Sequence, residues 1–122
     1  MKDSKILPFL KLNRIRLPLG WRHSCNCIRY HNRNETKEHF FAKAEIGFEI
    51  MKQGGTIFTE IDVGTGVADL LFLGQKIIIE FESNLTEKKK ALKYEQYKKW
   101  NVFVFDINKT TVEEMMKKIG LK

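Results

Sequence analysis

The chain has 122 residues, of which 43% are hydrophobic and 30% charged, and its formal net charge is +7. This length is sufficient for one domain with a hydrophobic core and too short for two. Because no run of about 18 uncharged apolar residues occurs, we expect no membrane-spanning helix. Pro8, Asn13 and Arg14 interrupt any apolar signal region, so we expect no signal peptide and a cytoplasmic, intracellular location.

The positive charge is concentrated at the start of the chain. Residues 1–33 contain eight Lys or Arg and one acid, whereas residues 34–122 contain 14 of each. We therefore predict a basic N-terminal arm over residues 1–33 and a compact α/β domain over residues 34–122. Such an arm suits a polyanion or the acidic surface of a second subunit, although a solubilising tail has the same composition. The arginines that we expect to contact nucleic acid are Arg14, Arg16, Arg22 and Arg29.

Both cysteines lie in the segment WRHSCNCIRYH, residues 21–31. His23, Cys25, Cys27 and His31 are a possible ligand set for Zn²⁺. The C-x-C spacing is tighter than the usual C-x₂₋₄-C, and the segment has no second half-site. We therefore favour unligated thiols over Zn²⁺ at Cys25 and Cys27, and a disulfide within the pair or between chains is a further alternative.

A first helix is predicted from Thr36 to Gln53. Asn34 or Thr36 can cap its start, and Gly54-Gly55 ends it. A helical wheel places His39 and Lys43 inside the apolar arc, where a lysine either extends to the surface or is directed at an anion. The apolar arc consists of Phe40, Phe41, Ala44, Ile46, Gly47, Phe48, Ile50 and Met51.

The stretch VADLLFLGQKIIIEFE, residues 67–82, follows a predicted strand over residues 56–61 and a glycine-rich loop. It is typical of two strands joined by a type II′ turn at Gly74-Gln75, which pairs residue i with residue 149 − i. Asp69 then lies opposite Glu80, with Glu82 on the same face. Since facing like charges destabilise a sheet, a bound cation is expected there. The opposite face is apolar: Ala68, Leu70, Phe72, Ile77, Ile79 and Phe81.

The rest of the chain predicts two helices and one strand. The first helix runs from Thr86 to Trp100 and carries Lys89 and Lys93 within its packing face, which otherwise consists of Leu85, Leu92, Tyr94, Gln96, Tyr97 and Trp100. A short buried strand follows at residues 102–106. A capping box at Thr111 begins the last helix, which Gly120 ends.

The element order and the spacing of Asp69, Glu80 and Glu82 in GVADLLFLGQKIIIEFE resemble the PD-(D/E)xK nuclease superfamily. Gln96 resembles the Q-x-x-x-Y signature of its RecB-like branch, with Trp100 in the place of the tyrosine. The sequence is also similar to small archaeal and viral members through His39-x-x-x-Lys43, Thr59-Glu60, Ala68-Asp69 and Gln96-Tyr97. The resemblance covers residues 36–106 and implies a restriction-endonuclease-like αβββαβ core, with a mixed sheet flanked by helices.

The resemblance also implies a site for Mg²⁺ or Mn²⁺ with Asp69 and Glu80 as ligands. Glu82 stands where the motif has lysine, as in a few restriction enzymes, and it can ligate a second ion or accept a proton from water. Glu45 has the spacing of the superfamily's first-helix acid, although the wheel places it on the polar face. Lys43 or Lys93 then replaces the motif lysine, and Gln96 completes the expected catalytic set. His39 and Lys89 are expected to contact DNA together with the arm.

Three functions are consistent with these patterns. The first is a DNA endonuclease, acting on branched or otherwise structured DNA as a homodimer. The second is a nucleic-acid-binding module that keeps the fold without catalysis, as the missing motif lysine allows. The third is a structural α/β domain whose acids are solvated at a sheet edge, which the facing pair Asp69 and Glu80 makes the weakest of the three.

Overall fold

A computed structural model of the chain describes residues 25–31 and 35–121. These residues form an α+β domain with a four-stranded mixed sheet and three helices, in the predicted order of elements. The elements are α1 (Lys37–Lys52), β1 (Thr56–Asp62), β2 (Val67–Leu73), β3 (Ile77–Glu82), α2 (Glu87–Gln96), β4 (Asn101–Asp106) and α3 (Val112–Ile119). Most of the predicted basic arm, including Arg14, Arg16 and Arg22, lies outside the described residues. No helix in the described part of the chain is long and apolar enough to cross a membrane.

The sheet has the strand order β1-β2-β3-β4. Strands β1, β2 and β3 form an antiparallel meander, and β4 pairs parallel to β3 after the crossover through α2. The register between β2 and β3, with Leu70 opposite Ile79, confirms the predicted pairing of residue i with 149 − i. Gly74 has the positive φ, 86°, that a type II′ turn requires at its first position, and Lys76 adopts a second left-handed conformation that the sequence did not indicate.

Hydrophobic clusters cover both faces of the sheet. Helices α1 and α3 pack together over one face, where the core consists of Ala42, Ile46, Ile50, Ile57, Leu70, Ile77, Ile79, Phe81, Phe105 and Met115. The second cluster consists of Phe58, Ile61, Val63, Ala68, Leu71, Leu73, Ile78 and Tyr97. The chain that follows α2 contributes Tyr97 and, at the margin, Trp100 to this second cluster.

The predicted placement of Ala68 beside Leu70 on one face is wrong, because the alternation of side chains along β1 and β2 is interrupted. Ile57 packs under α1 and α3, whereas Ile61, four residues further along the same strand, packs in the second cluster with Ala68. Glu60 lies between them with a left-handed φ of 50°. A regular pleat would keep Ile57 and Ile61 on one face, so we attribute the change of face to this residue.

Helix α1 lies within one residue of its predicted limits. The side chain of Thr36 caps it by accepting a hydrogen bond from the His39 N–H. The apolar arc is narrower than predicted, because Phe41 and Phe48 are exposed. The buried side of α1 consists of Ala42, Lys43, Ile46, Gly47 and Ile50.

Helix α2 is shorter than predicted, since it ends at Gln96 rather than at Trp100. Tyr97 forms the C-cap and is buried, and its hydroxyl donates to the Val67 carbonyl at 3.2 Å. The predicted packing face is confirmed only in part: Tyr97 is buried and Gln96 half-buried, whereas Leu92 and Tyr94 are exposed and no residue of α2 itself is fully buried. At α3, the capping box on Thr111 and the C-cap at Gly120 are both confirmed.

Candidate functional site

The candidate site lies where β2 and β3 separate. The two strands pair from Phe72 opposite Ile77 to Leu70 opposite Ile79. Beyond that point, backbone N–H groups donate to side-chain carboxylates. Glu80 Oε2 accepts from the Asp69 N–H at 2.7 Å, and Asp69 Oδ2 accepts from the Phe81 N–H at 2.8 Å. The backbone thus holds both predicted acids in fixed positions at the end of the strand pair.

Helix α2 adds a lysine to these acids. Lys93 Nζ lies 3.0 Å from Glu80 Oε1 and 3.5 Å from Glu82 Oε1. The Glu80 side chain is 1% exposed, whereas the side chains of Glu82 and Lys93 are each 28% exposed and reach the surface. We call Asp69, Glu80, Glu82 and Lys93 the open cluster.

The protonation of the open cluster follows from its burial and its charges. Burial, reinforced by the charge of Asp69, raises the pKa of Glu80 to about 7. Burial also opposes the ionisation of Asp69, but His39 and the Phe81 N–H outweigh it and lower the pKa of Asp69. Burial disfavours the charged form of Lys93 as well, yet the neighbouring Glu80 outweighs it and raises the lysine pKa. Asp69 therefore ionises first, and Lys93 stays protonated.

His39 approaches the open cluster from the other side, on the first turn of α1. Its Nε2 atom lies 3.4 Å from Asp69 Oδ2, and its ring packs 5.9 Å from the Phe81 ring. Nε2 is buried and, among the described residues, has no well-aligned hydrogen-bond partner. The proximity of Asp69, which outweighs the opposing effect of burial, raises the pKa of His39. The sequence suggested a DNA contact for this residue, whereas the structure places it against an acid of the site.

Lys43 belongs to a second group of charges, which we call the closed cluster: Glu35, Lys43 and Glu60. Its Nζ lies 3.0 Å from Glu35 Oε2 and 3.3 Å from Glu60 Oε2, and it donates to the Arg29 carbonyl at 2.6 Å. The side chains of Lys43 and Glu35 are both 0% exposed. Of the two alternatives for Lys43, the structure shows the lysine directed at anions, and these are Glu35 and Glu60 rather than the acids of the open cluster.

Glu60 connects the two clusters and was not among the predicted site residues. Burial raises its pKa, and so does the charge of nearby Asp69, while Lys43 opposes both. Its carboxylate also contacts His31 Nδ1. A left-handed φ at a residue other than glycine is costly and is concentrated at functional sites. In the sequence, the polar pair Thr59-Glu60 within an apolar strand is the feature that could have identified Glu60 as a site residue. Nothing in the sequence indicates the left-handed backbone of Glu60.

Gln96 supports the site indirectly. Its amide nitrogen donates to the Thr65 carbonyl at 3.0 Å, which attaches the end of α2 to the glycine-rich loop before β2. A Cβ atom on Gly66 would lie 2.0 Å from Gln96 Nε2 and 2.9 Å from the Tyr97 hydroxyl, so the close approach requires glycine here. The Gln96 side chain therefore positions the helix that carries Lys93.

The remaining predicted residues lie apart from the acids. Glu45 is exposed on the side of α1 opposite its buried residues, where the wheel placed it, so the structure does not bring it to Asp69. Lys89 is exposed on the first turn of α2. The backbone N–H of Arg29 donates to Thr59 Oγ1. Within the described segments, Cys25 and Cys27 are not joined in a disulfide, and His23 lies outside these segments.

The acids of the open cluster carry the type of oxygen donor that a hard divalent cation prefers. Carboxylate oxygens are the ligands that Mg²⁺ and Mn²⁺ prefer, and a cation between Asp69 and Glu80 would offset the burial and the repulsion by Asp69 that raise the Glu80 pKa. Among the described residues, no three His, Cys, Asp or Glu side chains form a ready-made metal cage. Mg²⁺ commonly uses one or two carboxylates together with water and substrate phosphates, so the donor set is compatible with it.

Comparison of the chain with models of protein families, with curated proteins and with solved structures found no match. A function for this chain is therefore inferred from its own residues.

Proposed function

We propose that the protein is a metal-dependent DNA endonuclease with a restriction-endonuclease-like core, which hydrolyses phosphodiester bonds. The observation that carries this proposal is the position of Lys93, whose ammonium lies 3.0 Å from Glu80 and 3.5 Å from Glu82. Two acids on neighbouring strands and one lysine are the groups that the superfamily's motif combines. Here the lysine comes from a helix, because Glu82 occupies its usual place on the strand.

Asp69 and Glu80 are the residues that would hold Mg²⁺ or Mn²⁺. When bound, such an ion lowers the pKa of a coordinated water and neutralises charge on the scissile phosphate. Asp69 is suited to this role because its carboxyl group ionises readily, with a lowered pKa. His39, 3.4 Å from Asp69 Oδ2, acts as a positioning residue that keeps this carboxylate charged and oriented.

The other groups of the open cluster act on the substrate. Lys93 binds a non-bridging phosphate oxygen and stabilises the charge that develops as phosphorus becomes pentacoordinate. Its raised pKa keeps the ammonium protonated while it does so. Glu82 is partly exposed, so its carboxylate can accept the proton that the attacking water loses.

The charge distribution supports a polyanionic substrate. The whole net charge of +7 arises within residues 1–33, while the remainder of the chain is neutral and brings its acids together at the open cluster. DNA binding through this segment should weaken steeply as salt rises, because each neutralised phosphate releases counterions. A homodimer would place two such sites on the two strands of a duplex.

A cleavage assay tests the proposal. Supercoiled, branched and single-stranded DNA are incubated with the protein in Mg²⁺, Mn²⁺ or EDTA, together with the variants Asp69→Ala and Glu80→Ala. Glu113→Ala, which removes an exposed acid from α3, is the matched control. We expect metal-dependent cutting that both site variants abolish and the control retains.

Cutting that persists in both site variants would contradict the proposal and indicate a contaminating nuclease. Binding without cutting in any divalent metal would instead support the alternative of an inactive nucleic-acid-binding module.

A further inference from the structure

A pocket of about 340 Å³ opens between the segment before α1 and the first turns of that helix. This volume is at the lower end of the roughly 300–1,000 Å³ that small-molecule sites occupy. Three aromatic side chains and one lysine dominate its wall. The lining residues are Tyr30, Glu35, Thr36, Lys37, Phe40 and Phe41.

The aromatic rings of the pocket are unusually accessible. Tyr30 is 55% exposed and Phe41 is 52% exposed. The ring centroids of Tyr30 and Phe40 lie 6.2 Å apart and those of Phe40 and Phe41 lie 6.3 Å apart, so the three rings form a continuous surface. Single exposed aromatics are common on proteins, but a grouped apolar patch around a concavity is typical of a binding site.

The pocket is held in place by the closed cluster. Arg29, next to Tyr30, donates its backbone N–H to Thr59 Oγ1 and accepts Lys43 Nζ at its carbonyl. Glu35 both lines the pocket and binds Lys43. The backbone on either side of the pocket is thereby fixed before any ligand arrives, which lowers the entropic cost of binding.

The helix that lines the pocket also contributes to the candidate active site. Phe40 and Phe41 directly follow His39 on α1, and His39 Nε2 lies 3.4 Å from Asp69. Glu35 reaches Glu60 through Lys43, and the charge of Asp69 acts on Glu60. Residues of α1 and of the closed cluster thus link the pocket to the open cluster.

We propose that this pocket holds an unpaired base of the DNA strand that is cut, so that the substrate class is DNA with unpaired nucleotides, such as a flap or a branch. The inference rests on the proposed function, because it takes the ligand to be the DNA that the open cluster would cut. Aromatic faces stack on every base and require no particular sequence. Lys37, whose Nζ lies 5.5 Å from the Phe41 ring centroid, supplies a positive charge for the adjoining phosphate.

The experiment measures binding separately from cleavage. Fluorescence anisotropy in EDTA compares a blunt duplex with the same duplex carrying a single-stranded flap, for the full chain and for Tyr30→Ala and Phe41→Ala. We expect each variant to lose roughly 5- to 150-fold in affinity for the flapped DNA, the range for removing one base-stacking aromatic. Affinity for the blunt duplex should stay unchanged.

Two controls make the result specific. Phe48→Ala removes a ring from the same helix that is 58% exposed but does not line the pocket, so it should bind both DNAs normally. Tyr30→Trp keeps an aromatic face and should retain the preference for the flap. Equal losses on flapped and blunt DNA, or no loss on either, would overturn the inference.

The outcomes also separate this inference from the proposed function. A flap-specific loss in a protein that cuts no DNA supports the base pocket while contradicting the nuclease. Metal-dependent cutting that Asp69→Ala abolishes, together with unchanged flap binding by Tyr30→Ala and Phe41→Ala, overturns the pocket and leaves the nuclease intact.

Discussion

The open and closed clusters contain the same kinds of residue in different surroundings. In each, one lysine ammonium lies between two glutamates, with separations of 3.0 and 3.5 Å for Lys93 and of 3.0 and 3.3 Å for Lys43. The Lys43 side chain is completely buried, whereas that of Lys93 is partly exposed. The Lys43 ammonium is therefore closed to a ligand, whereas the Lys93 ammonium is accessible to one.

The comparison shows why residue type alone could not identify the reactive lysine. Lys43 donates to the Arg29 carbonyl and both of its carboxylate partners, which satisfies its ammonium completely. Lys93 contacts two acids but keeps a solvent-facing side. We infer that the closed cluster holds the segment before α1 against β1, and that the open cluster is available for chemistry.

The largest expected effect is on stability, from Lys43→Met. Removing the ammonium leaves Glu35 and Glu60 buried without their counter-charge, and breaking a buried ion pair in this way costs about 3–5 kcal/mol. Urea denaturation followed by circular dichroism measures the change in the free energy of unfolding. A loss below about 1 kcal/mol would mean that the closed cluster does not hold the fold together.

The second prediction concerns Lys93, whose substitution should affect the rate of cleavage more than the stability of the fold. Lys93→Met should lower the free energy of unfolding by less than Lys43→Met does, since Lys93 is partly exposed and only one of its two glutamates is buried. Under the proposed function it should reduce cleavage by about 10²–10³-fold, the loss expected when one donor to a transition-state oxygen is removed. Single-turnover cleavage rates measure this, with Lys88→Met, exposed on the same helix, as the matched control.

Much of the fold was predictable because local signals agreed with tertiary packing. Thr36 and Thr111 mark helix starts through their hydroxyls, and apolar runs on both sides of Gly74 set the register that the sheet adopts. The end of α2 was not predictable, since Tyr97 leaves the helix to bury its ring and to donate to the Val67 carbonyl. That contact joins residues 30 positions apart and has no local signature.

Only part of the site could be predicted, because contacts between residues far apart in the sequence determine the rest. Asp69 and Glu80 followed from strand register, and Lys93 was one of two candidate lysines. The choice between Lys93 and Lys43 depends on Glu35, which lies in the segment before α1 and seals the closed cluster. The left-handed backbone of Glu60 is imposed by the sheet and by its contacts, so no pattern in β1 indicates it.

The smallest expected effect is a change in the free energy of unfolding with pH. It arises from Glu80 in the open cluster and is measured without divalent metal. The folded state raises the pKa of Glu80 to about 7, above its ordinary value of 4.5, so it binds a proton more tightly than the unfolded chain does. The contribution of Glu80 to stability is therefore present below pH 4.5 and is lost as the pH rises through 7. Asp69, Glu82 and Lys93 share this environment, and their charges set how steep the loss is.

The variant Glu80→Gln isolates this effect, because glutamine keeps the shape of the side chain and cannot ionise. Unfolding free energies between pH 5 and 8 should fall with rising pH for the natural chain and change less for the variant. Adding Mg²⁺ to the natural chain should flatten the fall, since a cation at Asp69 and Glu80 stabilises the ionised carboxylate. Identical pH profiles for the two proteins would show that the folded state does not raise the pKa of Glu80, so that no cation would be needed there to stabilise its ionised form.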